Sequence, residues 1–559
     1  MRRSFSFGSL LIGLTLLGTA AACAHPGNAA VVAAAAATAS LPAPETAAAA
    51  NVAAQSPNFI QIEGADLRAK LDAASTRARS GGTPYWSAYS FDVRPGVAVD
   101  PGGGEFHGSM NSSGGTTVFV GTSRGMTVET RNLAVFLLRD AGGGAVRRME
   151  IYNLDRKREY GGHPVYWLGR ASNEESLNYL RGLAESAPAP GSNTGAGLLN
   201  QHATLAIALH DDARVTGLLK GLVKASGNQK VRATAVHWIG QAGGEAQFLA
   251  DIVRNESEQS SLRRQAAHAI GESRDRAALT TLQSLYDGLP QSTPAQREVK
   301  RGIIHAASDN ENREGATAFL LKVARTDADK ESRRTAVHAL GDHGGDALID
   351  DLMSIMASDR ERDVRRAVLH ALKEIGTPRA QAKILEVART GNDADMRRHA
   401  IHMLAEVEGE AMLGELLKLY DAEQSNDVRR QLLHVFSEMK STRAEDKLFE
   451  VARGAGGAGG ANADLRRHAI HMIGERAGKR SLDLLRETVE SSSAETQVQM
   501  QAVHAISERP ADEAVPLLIK VARTHPNQQV RRRALHVLGE SGDPRALDFF
   551  REVLKSEKE

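Results

Sequence analysis

The chain of 559 residues contains one cysteine, Cys23. A single cysteine cannot bridge with itself, so an internal disulfide framework is excluded. Aromatic residues make up only 4% of the sequence. With alanine, leucine, glutamate and arginine abundant, that scarcity argues for stacked helices rather than a β-rich chain. Charge of one sign is also lacking. The formal net charge is +1, which gives no sequence-wide reason to expect nucleic acid or an anionic membrane as partner. Beyond the N-terminus no segment is apolar enough to span a bilayer. Catalytic motifs are missing as well: there is no H-E-x-x-H, no C-x-x-C, no G-x-x-x-x-G-K-[ST], and no dinucleotide fingerprint after a strand. "GTSRG" at 121–125 spells G-x-S-x-G. A nucleophile elbow needs a helix next, and the strand-like "MTVET" follows, so Ser123 is not expected to act as a nucleophile. No catalytic residue, cofactor or metal is expected.

What is present begins with Arg2 and Arg3, an apolar stretch from Phe5 to Leu17, and small residues around Cys23. This pattern predicts a secretory signal peptide over 1–24 and an exported protein, periplasmic, envelope-associated or secreted. Two processing routes are open. "AAAC" resembles a lipobox with Ala20 where leucine is usual, and acylated Cys23 would tether the chain to a membrane; plain cleavage near Ala24 would not. Residues 25–55 are Ala-rich with scattered proline and read as a linker, having little to bury. Residues 56–171 read as a small β-rich domain of unknown type. After one helix at 65–79, short aromatic and β-branched runs alternate with Gly, Asn and Pro.

From 172 to 559 the chain repeats itself. His210, His237, His268, His305, His338, His370, His402, His434, His471, His504 and His536 recur at spacings of 27, 31, 37, 33, 32, 32, 32, 37, 33 and 32. The two long intervals hold insertions at 287–296 and 454–462. Each unit reads as two helices, as in "EAVPLLIKVART" (513–524), a turn, then "QVRRRALHVLGE" (529–540). Units of this size stack so that each buries its apolar face on its neighbours. The motif V-R-R-x-A-x-x-x-L-G after an apolar first helix resembles the HEAT repeats, in particular the phycobilisome-lyase-like class. The resemblance implies a mainly α HEAT-like superhelix, an α-solenoid of about eleven repeats, with second helices on the concave face. Most members bind proteins as scaffolds, and a minority assist chromophore attachment to proteins; no activity is carried over to this chain.

A helical wheel separates the basic residues. With Val530 at zero and about 100° per residue, the apolar arc of the last second helix centres near 60°. His536 falls near 240°, directly opposite, and is expected to be its most exposed residue. Arg531 falls near 100°, beside the core, in a column with Arg232, Arg263, Lys300, Arg333, Arg365, Arg397, Arg429 and Arg466. The resemblance assigns this column to bracing neighbouring units through acidic residues. A second column, Arg264, Arg301, Arg334, Arg366, Arg398, Arg430, Arg467 and Arg532, lies one turn before the histidines on their own face. An acid from Glu272 to Glu540 lies one turn after them.

The position three before the histidine has diverged to Gln265, Thr335, Ala367, His399, Gln431, His468, Gln501 and Arg533, while the histidine persists. That contrast makes His268, His305, His338, His370, His402, His434, His471, His504 and His536, with Arg334, Arg366, Arg398, Arg430, Arg467 and Arg532, the candidate contact surface for a protein or peptide. Helices about 8–10 Å apart would keep imidazoles of neighbouring units from sharing a metal, so no metal ladder is expected. His399 with His402 and His468 with His471 could bind a transition metal adventitiously. The expected function is a non-catalytic, protein-binding scaffold. The alternative is an enzyme or enzyme accessory with chemistry in 56–171 and a substrate held by the array.

Overall fold

The structure is a computed structural model. It describes residues 59–556, apart from short stretches at 96, 100–104, 114–115, 125–131, 157, 187–195, 274, 408–409, 455–461 and 477. The predicted signal peptide, Cys23 and the whole Ala-rich segment lie outside the described residues, as does Gly125 of "GTSRG"; Ser123 lies within a strand.

Residues 59–170 form two sheets. The larger contains β1 (Phe59–Gln61), β2 (Tyr85–Ser90), β6 (Leu133–Arg139), β7 (Val146–Asn153) and β8 (Val165–Arg170), in the order β1-β8-β2-β6-β7. β8 pairs parallel with both β1 and β2, and β6 pairs antiparallel with β2 and β7. β3 (Val97–Val99), β4 (Glu105–Ser113) and β5 (Thr116–Arg124) make a second, antiparallel sheet in the order β3-β5-β4. Alternation of side chains across the large sheet sorts its apolar residues by face. Trp86, Phe136, Tyr152 and Trp167 form a separate buried cluster on one face, with Phe59 and Tyr160 packed against it. Tyr85, Tyr89, Val135, Leu137 and Ile151 face the other way and join the main core. Both faces of β2 are therefore buried, which its mixed sequence "YWSAYS" permits because Ser87 and Ser90 are small. The helix α1 (Leu67–Arg79) begins at Asp66, whose carboxylate accepts from the Ala69 amide.

Residues 173–556 are helical pairs, as expected. Eleven second helices run in sequence: Ala196–Leu209, Gln229–Ala242, Ser260–Gly271, Pro294–Ser308, Lys330–His343, Arg362–Ile375, Ala394–Ala405, Asn426–Glu438, Ala463–Gly474, Thr496–Ser507 and Gln528–Glu540. Each packs on the next. A last helix, Pro544–Ser556, follows the eleventh pair. Polar residues stop and start these helices. Asn228, Asp329, Asp393, Asn462 and Asn527 each cap a second helix by accepting from an amide of its first turn.

The closeness of the second helices has a residue-level cause. A Cβ on Gly240 would lie 2.6 Å from the Ala269 carbonyl oxygen, one on Gly341 2.7 Å from Ala371 Cα, and one on Gly474 2.7 Å from Ala505 Cβ. Gly271 meets Ala306 in the same way. In each case the glycine three after a histidine receives the alanine one after the next histidine. The final glycine of the motif is thus a contact device, and Gly539, with no twelfth second helix beside it, has nothing within 4 Å. Neighbouring first helices touch far more sparsely. A stack held tight on one side and loose on the other bends toward the tight side, so the second helices form its inner row.

The β-sheet joins the stack at its first unit. β7 packs on Ala196–Leu209, Val93 forms a bridge with His210, and the Asp211 amide donates to the Asp92 carbonyl at 2.8 Å. A terminal repeat needs such cover, because its outer apolar face has no neighbour of its own kind.

Candidate interaction surface

The two arginine columns separate as the wheel predicts. Arg333 holds the Asp359 carboxylate with Nε and Nη2 at 2.7 and 3.1 Å, and its Nη1 donates to the Asp327 carbonyl. Arg232 clamps Glu258 and Arg397 clamps Glu423 equally. In all three the acid lies 26 residues on, at the turn of the next unit. Arg263 and Arg531 brace differently, donating to main-chain carbonyls of their own turn. Asp359 is 7% exposed at its side chain, so this carboxylate would be left buried and uncompensated without Arg333.

The second column lies on the exposed face, but its arginines do not lean on the histidines. Arg334 pairs with Glu331 at 2.7 Å, and Arg398, Arg430 and Arg467 pair with Asp395, Asp427 and Asp464, in each case three residues back on the same helix. Arg366 and Arg532 make no ion pair among the described residues, and Arg366 Nε is buried without a hydrogen-bond partner.

Five of the eleven column histidines find the acid one turn ahead. His268 lies 3.3 Å from Glu272, His434 3.5 Å from Glu438, His471 3.8 Å from Glu475, His504 3.4 Å from Glu508 and His536 3.5 Å from Glu540. The side chain of His536 is 57% exposed, on the outward face, but it is not the most exposed of its helix, since that of Glu540 is 67% exposed. Glu272 is shared, with His237 at 3.6 Å. The Glu272 carboxylate raises the His268 pKa, and burial lowers that of His237. His305 is exposed beside Gly302 and lines a depression of about 420 Å³ with Arg264, Gln265 and His268. The central units differ. Glu406 is held by Lys373 rather than by His402, which is exposed. The His338 and His370 rings lie 6.0 Å apart, and His370 Nε2 lies 3.2 Å from His399 Nε2. Burial lowers the pKa of all three rings, that of His399 to about 4.

Among the described residues the face is a strip of paired charges. One sequence expectation changes, since the outward histidine does not hold in every unit: His210 is 2% exposed. Its ring stacks on Phe91 at 4.2 Å, Nδ1 donates to the Ala206 carbonyl at 2.6 Å, and Nε2 lies 2.8 Å from Ser176 Oγ. The segment after β2 and the first helix Asn173–Glu185 cover this ring and make it a core residue. Sequence reasoning also missed His525, which is buried with Nε2 donating to the Val489 carbonyl at 2.9 Å. It lies in a turn and outside the column.

Paired helices, a tight inner row and bracing arginines define a HEAT-like α-solenoid. The HEAT-repeat family model matches residues 317–405, 455–523 and 491–559. Among solved structures, the complex of CpcE and CpcF of phycocyanin lyase from Nostoc sp. PCC7120 is similar at 19% identity over 41% of this chain and 92% of that one, with a TM-score of 0.22. Kap121p bound to Pho4p is similar at 12% identity over 68% and 47%, with a TM-score of 0.39. Kap95p, whose binding to RanGDP affects its switch loops, is similar at 13% over 66% and 50%, with a TM-score of 0.34. The chain spans about half the length of the latter two. No curated protein sequence matches it.

Proposed function

We propose that the protein is an exported, non-catalytic scaffold that binds a protein or peptide along its inner row of second helices. The observation that carries this reading is the strip of half-exposed Arg–acid and His–acid pairs repeated from unit to unit. Exposed pairs of this kind are worth about 0–1 kcal/mol, so a partner's charges can replace them at small cost. Imidazoles, guanidiniums and carboxylates together offer donors and acceptors for main-chain groups. Successive helices stand about 8–10 Å apart, roughly three residues of extended chain at about 3.3 Å each. An extended segment would meet equivalent side chains at a regular interval. Export rests on the basic and apolar residues before Cys23.

The test is affinity capture from an envelope extract at about pH 5.5 and 7.5, a range that spans ordinary histidine titration. Wild type is compared with a variant in which His338, His370, His402 and His434 are alanine. A distinct set of proteins retained by wild type and diminished for the variant is expected. Identical capture by both proteins at both pH values would overturn the role of the histidine face.

A further inference from the structure

We propose that His370 and His399 form a two-imidazole binding site for a borderline divalent transition ion such as Zn²⁺, Ni²⁺ or Cu²⁺, bridging two neighbouring repeats. The site does not depend on what the inner row binds. Helix separation alone would keep histidines of adjacent units apart. One local fact brings this pair together: His399 sits three residues before the column position, one turn nearer the helix start. The result is an Nε2–Nε2 distance of 3.2 Å and a ring separation of 4.9 Å.

That distance fits a shared ion. Imidazole nitrogens bind zinc at about 2.0–2.1 Å, and two ligands at a tetrahedral angle are then about 3.3 Å apart. Imidazole suits zinc, nickel and copper alike. No set of three or more ligating side chains is gathered among the described residues. The ion's other positions would therefore be filled by water or by a side chain of a bound partner.

The chain supplies an internal comparison. "RRHAIHM" occurs at 397–403 and again at 466–472. His399 follows His370 by 29 residues, whereas His468 follows His434 by 34, across the glycine-rich insertion. In the second copy His468 interacts with the main chain of Arg430 and electrostatically with His434, and no His434–His468 hydrogen bond is formed among the described residues. The same letters therefore give one bridging site.

The test uses the full chain without a histidine tag, titrated with NiCl₂ and ZnCl₂ by calorimetry and with CuCl₂ by electron paramagnetic resonance. One saturable equivalent is expected. Loss of a ligand should cost no less than loss of a ligand's orienting partner, so His370→Gln or His399→Gln should weaken it at least about tenfold. The copper spectrum should show one nitrogen ligand fewer. His434→Gln and His468→Gln should leave that equivalent unchanged, and circular dichroism should show every variant folded as wild type. The proposal is overturned if no saturable equivalent appears, if it survives both His370→Gln and His399→Gln, or if His468→Gln reduces it equally, which would mark adventitious binding.

Discussion

His210→Ala is expected to destabilise the junction of the β-sheet and the first repeats by about 3 kcal/mol, in the range of large-to-small core substitutions. Three losses combine. The ring leaves a cavity against Phe91, Ser176 Oγ loses its partner, and the Ala206 carbonyl loses a donor. A pH signature separates this from simple cavity formation. Burial pushes the His210 pKa down from 6.5 to about 4, opposed in part by its bond to Ala206. The unfolded chain then binds more protons than the folded chain between these values. Stability contributed by the neutral ring is fully present above about pH 6.5 and is lost as pH falls toward 4, up to about 3 kcal/mol. Burial of His338, His370 and His399 acts in the same direction. Thermal unfolding of wild type from pH 7.5 to 4.5 should show a steeper acid loss than that of His210→Ala. Equal stability and equal slopes would refute the junction role.

The second large effect is a pair of opposite outcomes from one chemical change. Gly341→Ala should destabilise the array by about 1–3 kcal/mol, the cost of overpacking a close contact. The new methyl would press on the Ala371 main chain, which cannot swing aside as a flexible side chain could. Gly539→Ala should instead stabilise by up to about 1 kcal/mol, because alanine is the better helix former and nothing lies within 4 Å. Denaturant titration of both variants measures the contrast. Stabilisation by both would mean that the glycines do not set the spacing of the inner row.

Much of the array was legible because repetition averages out local ambiguity. Eleven histidines at near-constant spacing fixed the unit, and the apolar arc then placed His536 outward and Arg531 inward. Both placements follow from helix geometry alone. The failures share one cause, which is that they depend on what lies across a gap in the chain. His210 carries the same letter as its successors, but its burial is decided by Phe91 and Ser176 of preceding segments. Arg398 has a carboxylate three residues back, Asp395, as well as a histidine four ahead, and the wheel does not rank them. His370 meets His399 because His399 sits one turn nearer its helix start than the column position, and a wheel drawn for one helix does not show what the next helix brings opposite it. In the β-rich region the runs at 85–90, 116–121, 133–139, 147–153 and 165–170 that read as strands are strands, and "MTVET" lies outside the described residues; the parallel pairing of Phe59–Gln61 with Val165–Trp167 joins segments about a hundred residues apart and has no local signature.

The central claim is that the second helices, and not the first, face the partner. Photo-cross-linking tests it most directly. A photoreactive phenylalanine analogue would replace Thr335 or Gln431, at the divergent position of the second helices, and Lys322 or Lys418, exposed on first helices. Partner adducts are expected from 335 and 431 and should be absent or minor from 322 and 418. Adducts forming chiefly from 322 and 418 would contradict it.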